Sequence, residues 1–263
     1  MNVLTGSSVE ACNIANNHTA DFGTQGEEST VSTLTAAGIG YFGTGKTWIW
    51  EKDGIRIGFV SFTSTDQAAD RLASYNAVRA MKADGVNAVI FTFHGGTEYG
   101  RLRSAYQENV ARFAVNAGSD LVIMHHPHVL MGIEKLSNRL AFYSLGNFCF
   151  GGNRAVKALQ TMIVRCTLVF SDDGTYIGEQ LALIPANTSG TEDYNNYCPT
   201  LVTTAAEAEA CFQLVRHDTT TVRVPDYDAS LGCVLMDYLP ASDDAPLPED
   251  MDAVIAATLR TAE

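Results

Sequence analysis

Apolar runs and turn signals alternate along the first 216 residues in a strand-and-helix rhythm. Residues 47–50 and 55–63 are apolar and β-branched around Asp53-Gly54, which predicts a tight hairpin. Residues 26–37 predict a helix ended by Gly38, and residues 68–83 a second helix closed by Asp84-Gly85. Residues 86–93 form a continuous apolar run that ends at His94, the signature of a buried strand. Helical spacing returns over 102–117, with Val110, Phe113, Ala114 and Ala117 on one face and Gly118 as the stop. Buried strands are then expected at 120–124 and 140–144. A hairpin is expected from 161–170 and 176–184 around Asp172-Asp173-Gly174.

Strand–helix–strand repeats of this kind predict βαβ units and an α/β fold. In such folds ligands collect beyond the carboxyl ends of the strands. Five of the six histidines fall at such ends or in a polar turn: His18, His94, His125, His126 and His128. Imidazole is a common ligand for borderline divalent metals, and His-x-His after a strand directs two rings to one side. Pro127 fixes a backbone dihedral between them. His217 stands alone in a polar stretch and reads as a surface residue.

Composition narrows the class. Of 263 residues 46 % are apolar, enough for a sizeable core, and the formal charge of −13 disfavours a phosphate-backbone partner, so no nucleic acid is expected. No apolar run reaches the ~18 residues of a membrane-spanning helix, and no signal peptide is evident at the start. Residues 217–263 hold ten acids and two arginines, a net of −8, together with four prolines. They are expected to form an acidic C-terminal appendage with a helix at about 249–260, following a main domain over 1–216. The six cysteines show no metal-binding spacing and are expected to be buried thiols, with a Cys198–Cys211 disulfide as the alternative.

Other chemistries find little support. A Ser/His/Asp hydrolase would want a Gly-x-Ser-x-Gly elbow, which is absent. Gly38-Ile39-Gly40-Tyr41-Phe42-Gly43 follows a helix signal instead of a strand. The Walker-like string Gly40–Thr47 precedes a strand instead of a helix.

The polar cluster Asn16-Asn17-His18-Thr19-Ala20-Asp21-Phe22-Gly23 is followed by His94-Gly95-Gly96-Thr97-Glu98-Tyr99, by the run 118–129 containing His125-His126-Pro127-His128, and by Tyr143-Ser144-Leu145-Gly146-Asn147-Phe148. In this order the four motifs resemble the CapA family of capsule-synthesis (poly-γ-glutamate) proteins, over about residues 8–186. The resemblance implies a calcineurin-like metallophosphatase fold, a two-sheet β-sandwich flanked by helices. It implies Asn17, His94, His126 and His128 as metal ligands and His18, oriented by Asp21, as the acid that assists a leaving group. Glu98, Tyr99, His125 and Asn147 are placed at the substrate side of the site.

The resemblance also implies an earlier strand ending in Gly-Asp and an Asn-Leu-Glu motif, which supply carboxylate ligands. Neither occurs in this chain, so the domain is expected to be N-terminally incomplete. Two ions about 3.5–4 Å apart would clamp a phosphoryl group and activate water. With only neutral ligands, one weakly held ion is expected and a dinuclear pair is hard to justify; Mn, Zn, Fe, Mg and Ca are not distinguished. Two functions remain open. One is a metal-dependent hydrolase acting on an anionic envelope polymer or its precursor. The other is a non-catalytic envelope factor, or a truncated fragment, that assists a membrane-bound capsule synthase complex. The family places such proteins in the extracytoplasmic envelope.

Overall fold

The computed structural model describes residues 2–151 and 154–260. The chain is mixed α/β, with several sheets and flanking helices. Its order is α1 (Asn2–Thr5), β1 (Ala11–Asn13), α2 (Gly23–Ala36), β2 (Gly40–Phe42), β3 (Trp48–Lys52), β4 (Ile55–Thr63), α3 (Ala68–Ala83), β5 (Ala88–His94), α4 (Ala105–Ala117) and β6 (Leu121–His125). There follow β7 (Ile133–Leu136), β8 (Arg139–Phe142), β9 (Gln160–Phe170), β10 (Tyr176–Asn187), β11 (Thr200–Leu201), α5 (Ala205–His217), β12 (Val234–Leu235), β13 (Leu239–Pro240) and α6 (Met251–Leu259). Two compact units emerge, residues 1–95 with 109–123, and residues 96–108 with 124–263.

In the first unit β3 and β4 form the expected hairpin, Trp48 opposite Phe59 and Lys52 opposite Ile55. Asp53 and Gly54 both take positive φ, 53° and 81°, the backbone a two-residue turn of the matching twist requires. β4 then pairs in parallel with β5, Thr63 opposite His94, with α3 as the crossover. Every residue of β5 is buried, as a central parallel strand demands. α3 turns Ser74, Val78 and Met81 inward, and Gly58 leaves room for Met81: a Cβ there would lie 2.5 Å from the Met81 sulfur. Asp120, just before β6, is buried and accepts from the Val89 amide and from Lys82, at 2.8 and 3.0 Å. On α4 the inward stripe is Val110, Ala111, Ala114 and Ala117. Phe113 is 58 % exposed instead, because it sits one position off that stripe.

Two short strands were not expected in this unit. β1 and β2 pair in parallel, Ala11 opposite Gly40 and Asn13 opposite Phe42. After β2 the chain turns at Gly43 (φ 105°), where a Cβ would lie 2.5 Å from the Ala15 nitrogen. Glycine is required there. The Walker-like string therefore contributes β2 and a turn closed between Gly43 and Lys46, then leads into β3. No helix N-terminus follows it to receive a phosphate.

In the second unit β7 and β8 form one hairpin and the long strands β9 and β10 another, with a register shift between Tyr176 and Gly178. β10 also pairs antiparallel with β11, β12 and β13. The acidic segment beyond residue 216 thus supplies two short strands to β10. It also supplies α6, whose Thr258 bonds Thr167 and Arg165 of β9. Helix α5 had no counterpart in the sequence reading. Its N-cap Thr204 accepts from the Glu207 amide, and Ala208, Cys211, Phe212 and Val215 are buried.

The cysteines are all free thiols. Cys211 and Cys233 are buried as expected, and Cys12 and Cys166 partly so. Cys149 and Cys198, in loops with no core to enter, are exposed. Cys211 faces inward on α5 and is not paired with Cys198. Among the described residues, no helix is long and apolar enough to cross a membrane.

Candidate metal centre

The polar residues singled out in the sequence form two groups, one in each unit. In the first, β1 leads into a turn braced by its own side chains. Asn13 accepts from the Ala15 amide at 2.9 Å and donates to Thr92 on β5 at 2.9 Å. Asn16 accepts from the His18 amide at 2.8 Å, and the Thr19 hydroxyl donates to the Ile14 carbonyl. These bonds hold Asn17 so that its side-chain oxygen meets Nε2 of His94, the last residue of β5, at 2.9 Å. That spacing also suits two neighbouring donors around one ion at about 2.1 Å. His18 is 69 % exposed, and its Nδ1 lies 2.9 Å from Asp21. Asp21 therefore fixes the ring and leaves Nε2 outside that bond.

The second group is built on a distorted backbone. Tyr99, His126 and His128 take φ values of 59°, 100° and 63°, the left-handed region that side chains with a Cβ rarely adopt. Pro127 lies between the two histidines, and its carbonyl accepts from the Tyr99 amide at 2.8 Å, tying the Glu98 loop to the His-Pro-His turn. Potential ligand atoms of Glu98, His126 and His128 all lie within 4.8 Å of one another. A carboxylate and two imidazoles are a donor set suited to a borderline divalent ion, and the single negative charge offsets part of its own. Nδ1 of His128 lies 2.7 Å from the Asn147 side-chain oxygen. An amide oxygen only accepts, so that nitrogen carries the proton and Nε2 keeps its lone pair for a ligand role.

Aromatic rings wall this group. Tyr99 stacks on His128 at 5.7 Å and Phe150 meets it edge-on at 5.2 Å. The Lys157 ammonium lies 5.1 Å from the Tyr99 ring centre, a local positive charge in an acidic chain. Burial holds the His125 imidazole down to about 4, so it is neutral near pH 7 and offers hydrogen bonds, not a proton.

The structure thus brings Asn17 to His94 and His18 to Asp21 in one unit. In the other it brings Glu98 to His126 and His128, with Tyr99 and Asn147 beside them. Glu98, for which the resemblance implies the substrate side, lies with the two imidazoles as a carboxylate that could hold a metal. Its signal was its place four residues after His94, beyond a Gly-Gly turn. Lys157 and Phe150 were missed, and nothing in their sequence surroundings marks them.

Residues 1–152 match the family described as "Bacterial capsule synthesis protein PGA_cap", a span that contains Asn17, His18, Asp21, His94, Glu98, Tyr99, His126, His128 and Asn147 and ends before Lys157. The chain is 30 % identical over 161 residues to the capsule biosynthesis protein CapA of Bacillus anthracis, covering 52 % of this chain and 39 % of that protein. It is also 30 % identical over 169 residues to the PGA biosynthesis protein CapA of Bacillus subtilis (strain 168), covering 56 % and 44 %. The matched stretches therefore span about two fifths of the length of these curated relatives. A stretch of 45 residues is 44 % identical to the uncharacterized protein y4sH of Sinorhizobium fredii, 17 % of this chain and 10 % of that one.

Proposed function

The chain belongs to the bacterial capsule synthesis protein family, and from that premise we propose that it is a metal-dependent hydrolase of the metallophosphatase type, acting on an anionic envelope polymer or its precursor. The observation that carries the reading is the convergence of Glu98, His126 and His128 within 4.8 Å. These three would hold a divalent ion; for Asn17 and His94, paired within the other unit, the family likeness implies a ligand role of their own. The ion would supply Lewis-acid polarisation of a phosphoryl or amide oxygen.

The protein's own groups do the rest. Asn147 keeps the His128 proton on Nδ1, so that Nε2 is ready for a ligand. His18, held by Asp21, gives its proton to the departing oxygen or nitrogen. Lys157, beside Tyr99, supplies positive charge for an anionic substrate. The aromatic wall of Tyr99 and Phe150 limits access of water to His128.

A second reading, a non-catalytic capsule-synthesis factor that works with a membrane-bound synthase complex, is favoured by the single carboxylate, Glu98, in the cluster with His126 and His128. Elemental analysis of the full chain purified with Mn²⁺, together with Mn²⁺-dependent cleavage of a chromogenic phosphodiester, separates the two. At least one equivalent of metal, lost in Glu98→Gln, with cleavage that fails in both Glu98→Gln and His18→Ala, is the expected result. Bound metal without cleavage of phosphodiester or of γ-glutamyl amide would leave the non-catalytic factor. No bound metal overturns the metal site itself.

A further inference from the structure

Two of the six thiols differ from the rest. Cys12, Cys166, Cys211 and Cys233 are wholly or partly buried, and burial raises the pKa of each, to about 11 for Cys211. Such thiols stay protonated and shielded. Cys149 and Cys198 are exposed. They lie 49 positions apart in the sequence (198 − 149), yet the fold brings the Cys149 side chain to the backbone that leads into Cys198. The Cys149 sulfur is 3.8 Å from the Tyr197 carbonyl oxygen, an atom only three covalent bonds from the Cys198 Cα.

The surroundings keep them there. The Thr188 hydroxyl donates to the Phe148 carbonyl at 3.0 Å, and the Asn195 amide side chain donates to the Phe150 carbonyl. Cys149 is therefore held between two anchored residues. Asn195 accepts from the Tyr197 amide at 2.9 Å and Asn196 from the Cys198 amide at 3.0 Å, while Tyr197 takes a left-handed φ of 62°. Both cysteines sit on segments pinned by these bonds. A disulfide needs a Cα separation of about 4.4–6.8 Å, so closing the pair takes rotation of the side chains and a shift of the loops that carry them.

We propose that Cys149 and Cys198 are an oxidisable pair, closing an intramolecular disulfide that staples the strap between Asn147 and Phe150 to the turn at 195–198. The oxidant is a low-molecular-weight or protein disulfide. One cysteine thiolate attacks it, forming a mixed disulfide and releasing one thiolate. The second cysteine then attacks the mixed disulfide and releases the other. Two protein thiols are oxidised to one disulfide, and one donor disulfide is reduced to two thiols. Because Asn147 and Phe150 both touch His128, the staple fixes the strap that orients that ring. The pairing itself does not depend on a metal being bound.

The test is to incubate the full chain with oxidised glutathione, quench with acid, and count thiols after denaturation, with peptide mapping before and after reduction. The expected count falls from six to four, with one cross-linked peptide pair joining 149 to 198 in a monomer on a non-reducing gel. Cys149→Ser, a surface change, should instead leave one glutathione on Cys198 and no cross-link. Three outcomes overturn the proposal: glutathione on both cysteines without a cross-link, a cross-link to any other cysteine or between chains, or six unreacted thiols.

Discussion

The two histidine groups have similar chemistry but rest on different backbones. Asn17, His18, Asp21 and His94 all have ordinary negative φ values and are set by a strand end and an asparagine-rich turn. Tyr99, His126 and His128 are held in left-handed conformations, and their group includes the carboxylate of Glu98. Each such residue costs of order 1–3 kcal/mol, a cost that persists only where the surrounding structure over-determines it. The contrast teaches where preorganisation is concentrated: the second group is shaped in advance, while the first is a pair that any well-braced turn could offer.

That difference can be broken most sharply beneath the second group. The Arg103 backbone amide donates to the Asp218 carboxylate, while its guanidinium donates to the Asp218 carbonyl, lies 3.8 Å from that carboxylate, pairs with Glu108 and sits over the Tyr143 ring at 5.0 Å. Its side chain is only 10 % exposed and that of Asp218 only 9 %. Burial already raises the Asp218 pKa, against the pull of Arg103. Arg103→Ala should therefore cost about 3–5 kcal/mol in a urea melt, the range for a broken buried ion pair. A loss under 1 kcal/mol would show that the loop leading to Glu98 is held by other means.

The next largest effect is on metal affinity. His126→Ala should weaken Mn²⁺ binding by more than ~100-fold in calorimetry, and Asn147→Ala, acting through the His128 tautomer, by about 10–100-fold. If Asn17→Ala equals the first and Asn147→Ala does nothing, the ranking of the two groups is reversed. Alkali offers a further contrast. Burial, then the bond to Glu134, pushes the Tyr143 phenol well above 10, and burial pushes Cys211 to about 11; both lie in the second unit. Above pH 9–10 the unfolded chain loses these protons first, so it binds fewer than the folded chain and stability falls as pH rises. Stability should therefore decline from pH 9 to 11, less steeply in Cys211→Ala, and hydrogen exchange should show the second unit opening first. The smallest effect belongs to Asp21→Asn. Its exposed pairing with His18 contributes under about 1 kcal/mol, so the melt should be unchanged and only turnover should fall.

Much of the frame was legible because it is local. The ends of β4 and α3 agree to the residue with those read from periodicity, since Asp53-Gly54 and Asp84-Gly85 mark their borders. Helix α5 was legible in the letters: Thr204-x-x-Glu207 has the capping-box pattern, and the Glu207 amide donates to Thr204 while the Glu207 carboxylate accepts from the Thr204 hydroxyl. The two- and three-residue strands β1, β2, β11, β12 and β13 carry no periodic signal and exist because distant partners pair with them. For the candidate site, residue types and order were visible, and left-handed backbone was not. Nothing in the letters His-Pro-His dictates φ values of 100° and 63°. Glu98 joined the imidazoles only once its loop was tied to Pro127.

The bond from Arg103 to Asp218 joins residues 115 positions apart. During synthesis at roughly 5–20 residues per second, Arg103 leaves the ribosome about 6–23 s before its partner is made. Through that interval the loop bearing Glu98 lacks its long-range clamp. The parallel pair β4–β5 and the tie from Tyr99 to Pro127 have time to form first, and the Asp218 clamp is added to a loop already begun.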